Sequence, residues 1–162
     1  MLLNYLRPVL YFIPLAVVQL VIVPLISIAE IAPNVILIMI VFYTLKYGQI
    51  YGMITGFVLG FALDLISGGL AGAFMFSFTV SVFIAGYFYN ENKIEINTAS
   101  SFYLVILFIA AAINAFLYSA VANTNSDVGI LYLAVEDGIL PGLYTTALGL
   151  PVVIFNTRKG IE

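Results

Sequence analysis

Residues 48–72 read GQIYGMITGFVLGFALDLISGGLAG. Small residues recur there at every fourth position: Gly48, Gly52, Gly56 and Gly60, then an acid, Asp64, then Gly68 and Gly72. Glycine inside a helix costs about 1 kcal/mol relative to alanine. A run of them at fixed spacing in an apolar segment needs a compensating interaction. In a membrane that interaction is close approach of two helix backbones. Four residues turn a helix by about 400°, so the small positions drift round the axis as a slanted groove, suited to a crossing near about −40°. Two uses of the groove stand side by side: packing inside the protein, or docking of another protein's helix.

The rest of the chain agrees with a bilayer setting. Of 162 residues, 64% are hydrophobic and 8% charged, where soluble domains carry about 25% charged residues. Six spans of about 20 residues would use about 120 positions and leave no room for a soluble domain. The expectation is therefore an all-α integral membrane protein, a compact bundle of about six transmembrane helices forming a single polytopic domain over 1–162. There is no cysteine and no histidine. This removes disulfides, thiol nucleophiles, Ser-His and Cys-His mechanisms, and most zinc sites. No basic tract points to nucleic acid, and no cofactor or metal is expected.

Taken outward from the glycine stretch, apolar runs and breakers predict helices over 8–27, 34–47, 49–66, 70–89, 101–122 and 139–155. The first is long for a signal peptide and reads as a span. Pro14 and Pro24 should kink it or end it early. The second is short for a slab of about 30 Å; it either begins earlier, near Ile28, or sits where the bilayer thins. Residues 90–100 (NENKIEINTAS) read as a surface loop, and 123–127 as a second polar loop. Before the last helix, Glu136-Asp137-Gly138 interrupts the apolar pattern. Adjacent acids on a helix point about 100° apart, so this pair does not converge on a common ligand and is expected in interfacial water. Pro141 and Pro151 should shape the final helix.

Six spans put Arg7, Lys46, Lys93, Arg158 and Lys159 on one side and no Lys or Arg on the other. The positive-inside rule then makes both termini cytoplasmic. Tyr43, Tyr47, Tyr51, Tyr87, Tyr89 and Tyr103 fall at the same boundary, where an aromatic belt belongs. Glu30, Asp64, Asp127, Glu136 and Asp137 fall on the other side.

Asp64 stands in the last turn of its helix, where the dipole disfavours a carboxylate. No basic residue of this chain shares its side of the membrane. The possible partners of Asp64 are water, free N–H groups at the start of the following helix, or a group of another molecule. Whether Asp64 serves the turn or a partner stays open; the expectation taken is the backbone one, with N–H groups near Gly68 to Gly72 as donors. On that reading Asp64→Asn should keep most folding and Asp64→Leu should not. Gln19 and Asn114 are polar residues within spans and should make interhelical hydrogen bonds. Asp64 has no second intramembrane aspartate to face it, and no acid cluster or buried cation marks a transferase or transporter site; catalysis is not expected.

The segment 48–76 resembles the signature of the rod shape-determining protein MreD family. It has a glycine-spaced helix ending in Gly-x-x-x-Asp (Gly56, Gly60, Asp64), a glycine-rich turn (Gly68 or Gly69) and a further glycine, Gly72. Ala32-Pro33-Asn34 before a helix closed by Lys46 is also similar to the family, as is the last helix, Leu140 to Leu148 through Pro151, with its basic tail. The Glu136-Asp137 pair departs from that pattern. The resemblance implies a non-enzymatic scaffold of the bacterial inner membrane. Its partners would be an MreC-like single-span protein and, indirectly, MreB-like filaments and peptidoglycan synthases. Gly52, Gly56, Gly60, Asp64, Gly68, Gly72 and Pro141 are the candidate helix-packing or partner-binding residues. The family is also similar in layout to substrate-binding subunits of energy-coupling-factor transporters, which implies a second possibility: a six-helix subunit that binds a vitamin-type small molecule.

Overall fold

The computed structural model describes residues 2–28, 31–122 and 134–159, which form helices and turns with one isolated backbone bridge. Helix α1 (Leu2–Val17) passes through a π-helical turn (Val18–Ile22) into the short α2 (Val23–Ile26). The first helical stretch thus begins earlier than position 8. Proline, which lacks an N–H, follows one residue after the wide turn: Val23 donates five residues back to the Val18 carbonyl and opens α2, and Pro24 is its second residue. The π-turn carries Gln19.

Ile28 and Ile31 exchange two backbone hydrogen bonds, at 3.2 and 2.9 Å. That bridge stops any helix from starting at Ile28. Helix α3 (Val35–Tyr47) starts instead at its N-cap, Asn34, whose side-chain oxygen accepts the Leu37 N–H at 3.0 Å. Thirteen residues make a helix of about 20 Å. Eight of them are buried, so α3 is surrounded mainly by protein.

Gly48, at φ 102°, turns the chain from α3 into α4 (Gln49–Ser67) without a loop. Helix α5 (Ala73–Gly86) is shorter than the expected 70–89. At its start, Gly68 and Gly72 adopt φ of 65° and 96° and hold the turn open through residue 72. At its end, Tyr87, Phe88 and Tyr89 each bond three residues back and tighten the chain out of the helix.

The expected surface loop at 90–100 holds a 3₁₀ turn (Glu91–Lys93) and a short helix, α6 (Ile94–Ala99). Asn97 is buried in it and donates to the Phe88 carbonyl at 2.7 Å. That bond ties the segment down against α3, α7 and the last helix. Helix α7 (Ser101–Ala122) matches its expected bounds. The polar interval 123–127 lies outside the described residues, as do Glu30 and Asp127. The last helix, α8 (Leu140–Lys159), is preceded by a second π-helical turn (Val135–Ile139) that contains the Glu136-Asp137 pair.

Helix α3 sits at the centre. Ile36, Leu37, Ile40 and Val41 pack with Leu59 and Leu63 of α4, Phe78 and Val82 of α5, and Ile106, Leu107 and Ala110 of α7. Large apolar side chains also cover the outside, among them Ile13, Leu25, Ile50, Phe57, Leu65, Leu143 and Phe155. A surface of that kind fits lipid rather than water. Three helical stretches, Gln49–Ser67, Ser101–Ala122 and Val135–Phe155, are long and apolar enough to cross a bilayer; three more, Leu10–Ile26, Val35–Tyr47 and Ala73–Gly86, are apolar and shorter.

Candidate functional site

Two polar clusters interrupt the apolar interior. The first is built on Asp64, which is 5% exposed. Its Oδ2 accepts the N–H groups of Gly72 and Met75, and its Oδ1 accepts that of Phe74, all at 3.0 Å. These are three of the N–H groups that the start of α5 leaves without an intrahelical acceptor. The negative end of α4 disfavours the carboxylate, but the positive end of α5 faces it and offsets that cost. Both oxygens are used, and Asp64 is the cap of the next helix. An asparagine would keep one acceptor oxygen and turn an NH₂ toward a donor. Asp64→Asn is therefore more damaging than the sequence suggested.

The glycines of α4 share the buried face with Asp64. Gly52, Gly56 and Gly60 are buried, whereas Ile50, Ile54, Phe57, Val58 and Phe61 are exposed on the opposite side. A Cβ on Gly60 would stand 2.7 Å from Met75 Cα, against backbone that cannot give way. On Gly56 it would lie 3.0 Å from Val82 Cγ2, and on Gly52 it would collide with the Thr44 side chain of α3. At the other end of the same helix pair, Gly86 of α5 meets Gln49 in the same way, with Cα at 2.8 Å. Around Gly68 there is open space; its requirement is the left-handed φ, not room. Gly60, Asp64 and Gly72 therefore meet at the α4–α5 turn, Gly52 and Gly56 extend that contact along α4, and Pro141 stands apart on α8.

The second cluster joins α1, α3, α7 and α8. Gln19 donates to the Pro33 carbonyl at 3.0 Å and accepts the Val35 N–H at 2.8 Å. Asn34 donates its backbone N–H to Thr145 Oγ1 at 2.9 Å and its side-chain amide to Asn114 Oδ1 at 3.2 Å. Ser119 donates to Asp137 Oδ2 at 2.5 Å. These groups and Pro141 border a cavity of about 520 Å³, with Phe74, Tyr118 and three alanines of α7 as apolar wall. The Phe74 and Tyr118 rings stack at 4.3 Å. Asn114 is 3% exposed, and its Nδ2 has no hydrogen-bond partner among the described residues.

A family model described as rod shape-determining protein MreD matches residues 1–157. The chain belongs to the MreD family. It is thus a membrane protein of the rod shape-determining class. Comparison with curated proteins and with solved structures finds no significant match.

Sequence reasoning missed Asn34, Thr145, Tyr118 and Phe74, and the part Asp137 plays beside Ser119. Asn34 could have been found as an N-cap, since Pro-Asn stands immediately before an apolar run. Thr145 carries no comparable signal, because a threonine in an apolar helix ordinarily bonds its own backbone, as Thr146 does to Gly142 at 2.7 Å.

Proposed function

We propose that this chain is a non-enzymatic scaffold of the cell-elongation machinery in the bacterial inner membrane. It crosses the bilayer six times with both termini cytoplasmic. It binds an MreC-like single-span protein and so helps couple MreB-like filaments to peptidoglycan synthesis. The observation that carries this reading is the family match over nearly the whole chain. The interior adds support of a physical kind, since Asp64, the most buried acid among the described residues, uses both oxygens in capping a helix. We also assign Gly52, Gly56 and Gly60 to internal packing. Helices α3 and α5 already occupy that face, so the partner helix engages a different surface.

Depletion tests the function. Cells losing the protein should widen and round up, and wild-type protein supplied in trans should restore rods; unchanged cell width on depletion would sink the proposal. Capture of the tagged protein in mild detergent should recover a single-span membrane protein with an extracytoplasmic domain. If cross-linking in intact cells recovers none, the partner assignment fails. The absence of cysteine allows clean topology mapping. Asn92→Cys should be shielded from an impermeant thiol reagent in intact cells and Gly69→Cys should be labelled.

A further inference from the structure

Two π-helical turns occur among the described residues, Val18–Ile22 and Val135–Ile139. Such turns are rare and are frequent at functional sites. Both border the same cavity, one through Gln19 and the other through Asp137. Gln19 is engaged at both ends of its amide, by Val35 and by Pro33. Asp137 has one partner only: Ser119 donates to Oδ2, and Oδ1 meets no donor among the described residues. Asp137 is half-buried and belongs to the lining, so that oxygen is open to a ligand.

One face of α7 sets the room available. Ala111, Ala115, Tyr118, Ser119 and Ala122 follow at steps of three and four positions, so they share that face, and all belong to the lining. The alanines leave space, and the Tyr118 ring, stacked on Phe74 at 4.3 Å, adds apolar surface beside it. The volume of about 520 Å³ is of ligand size, since small-molecule pockets run about 300–1,000 Å³. The charge around this space is one-sided. The lining holds Asp137 and no Lys or Arg. Asp64 stands behind Phe74, whose N–H it accepts. The Ser119 hydroxyl is neutral and offsets none of the charge of Asp137. An anion is therefore disfavoured, whereas a cation with N–H groups gains a charge-assisted hydrogen bond, about twice as strong as a neutral one. A phosphate next to that ammonium, as in an ethanolamine lipid, would be repelled by both carboxylates. The alanine and ring surface suits hydrocarbon instead.

We propose that this cavity binds a small primary amine with an apolar body. Asp137 holds the ammonium, and the hydrocarbon lies along the alanine face of α7 beside Tyr118. This binding is independent of the scaffold reading, because it is measured on the purified chain without a partner.

The test uses full-length protein in a non-ionic detergent at neutral pH. Phenethylamine and hexylamine are the probes, each set against the alcohol of the same carbon skeleton, which matches its shape and carries no charge. Equilibrium dialysis and thermal unfolding report binding. At least one amine should bind saturably, about tenfold or more tighter than its alcohol. Asp137→Asn keeps an oxygen for Ser119 and removes the charge. It should weaken amine binding about tenfold and leave alcohol binding within about twofold. Ala115→Phe and Ala122→Phe each reduce the space and should weaken amine binding by a similar factor. Ala122 is exposed, so its substitution leaves the packing of α7 in place. If Asp137→Asn or Ala115→Phe does not fold, Ala122→Phe and the amine–alcohol comparison still decide. Saturable binding of neither amine, equal binding of amine and alcohol, undiminished binding by Asp137→Asn, or undiminished binding by both phenylalanine variants overturns the proposal.

Discussion

The two polar clusters solve the same physical problem to different degrees. At the α4–α5 turn, one carboxylate meets three N–H donors and every oxygen is used. Between α1, α3, α7 and α8, six polar side chains cooperate and one buried N–H is left without a partner among the described residues. A closed cluster in a low-dielectric interior serves structure: it stabilises one arrangement and resists all others. An open cluster favours its arrangement less strongly, because its unmatched group gives up a hydrogen bond to water on folding and gains none in return. The contrast also separates the family-like signature from the ligand-sized site. The signature at 56–72 builds the frame. The cavity is assembled from residues of α5, α7 and α8, the two π-turns and the segment 32–34.

The largest expected effect breaks the closed cluster. Asp64→Leu leaves three buried N–H groups unpaired, at about 1–3 kcal/mol each, and should nearly abolish accumulation of folded protein. Asp64→Asn should fall between that variant and wild type. Unfolding of Asp64→Leu at the wild-type temperature would show that water or lipid satisfies those groups. Next is Gly60→Leu, which pushes a side chain into the Met75 backbone. A loss of about 1–3 kcal/mol is expected, read by thermal unfolding together with weakened cross-linking between paired cysteines on α4 and α5. Gly68→Ala isolates the turn from the packing. Its φ of 65° penalises a Cβ although the space around it is empty, and about 1 kcal/mol should be lost. Smallest is Asn114→Ala, which removes one acceptor but also the unpaired donor. Its unfolding should stay within about 1 kcal/mol of wild type. A penalty as large as that of Asp64→Leu would erase the difference between the clusters.

Much of the fold was legible because apolar runs and glycine or proline breakers carry it. Helix α7 appears at its expected bounds, and α3 differs by one residue at its start. Asp64 was legible because a lone acid in an apolar helix demands donors, and the free donors nearest in the chain are those of the next helix. The start of α5 was not, since it depends on left-handed backbone at Gly68 and Gly72, which composition does not reveal. Helix α6 hid within a polar run. Its burial rests on Asn97 reaching the Phe88 carbonyl, a contact invisible to hydropathy. The cavity was least legible of all. Asn34 and Thr145 lie 111 residues apart and meet through a backbone N–H, which no side-chain pattern encodes.

Helix α3 has a history as well as a place. It is the most enclosed element of the finished protein, yet it leaves the ribosome before α4, α5, α7 and α8 exist. At about 5–20 residues per second, the 92 positions between Tyr47 and Leu140 take on the order of ten seconds to synthesise. On the six-span reading, lipid solvates α3 during that interval on the faces that its neighbours later cover. Its near-uniform apolarity therefore suits two successive solvents. Thr44, the polar residue on its innermost side, is already satisfied by the Ile40 carbonyl of its own helix at 2.7 Å. A polar side chain that relied on α4 or α7 for its partner could be harmless in the completed bundle and still keep α3 from entering the membrane.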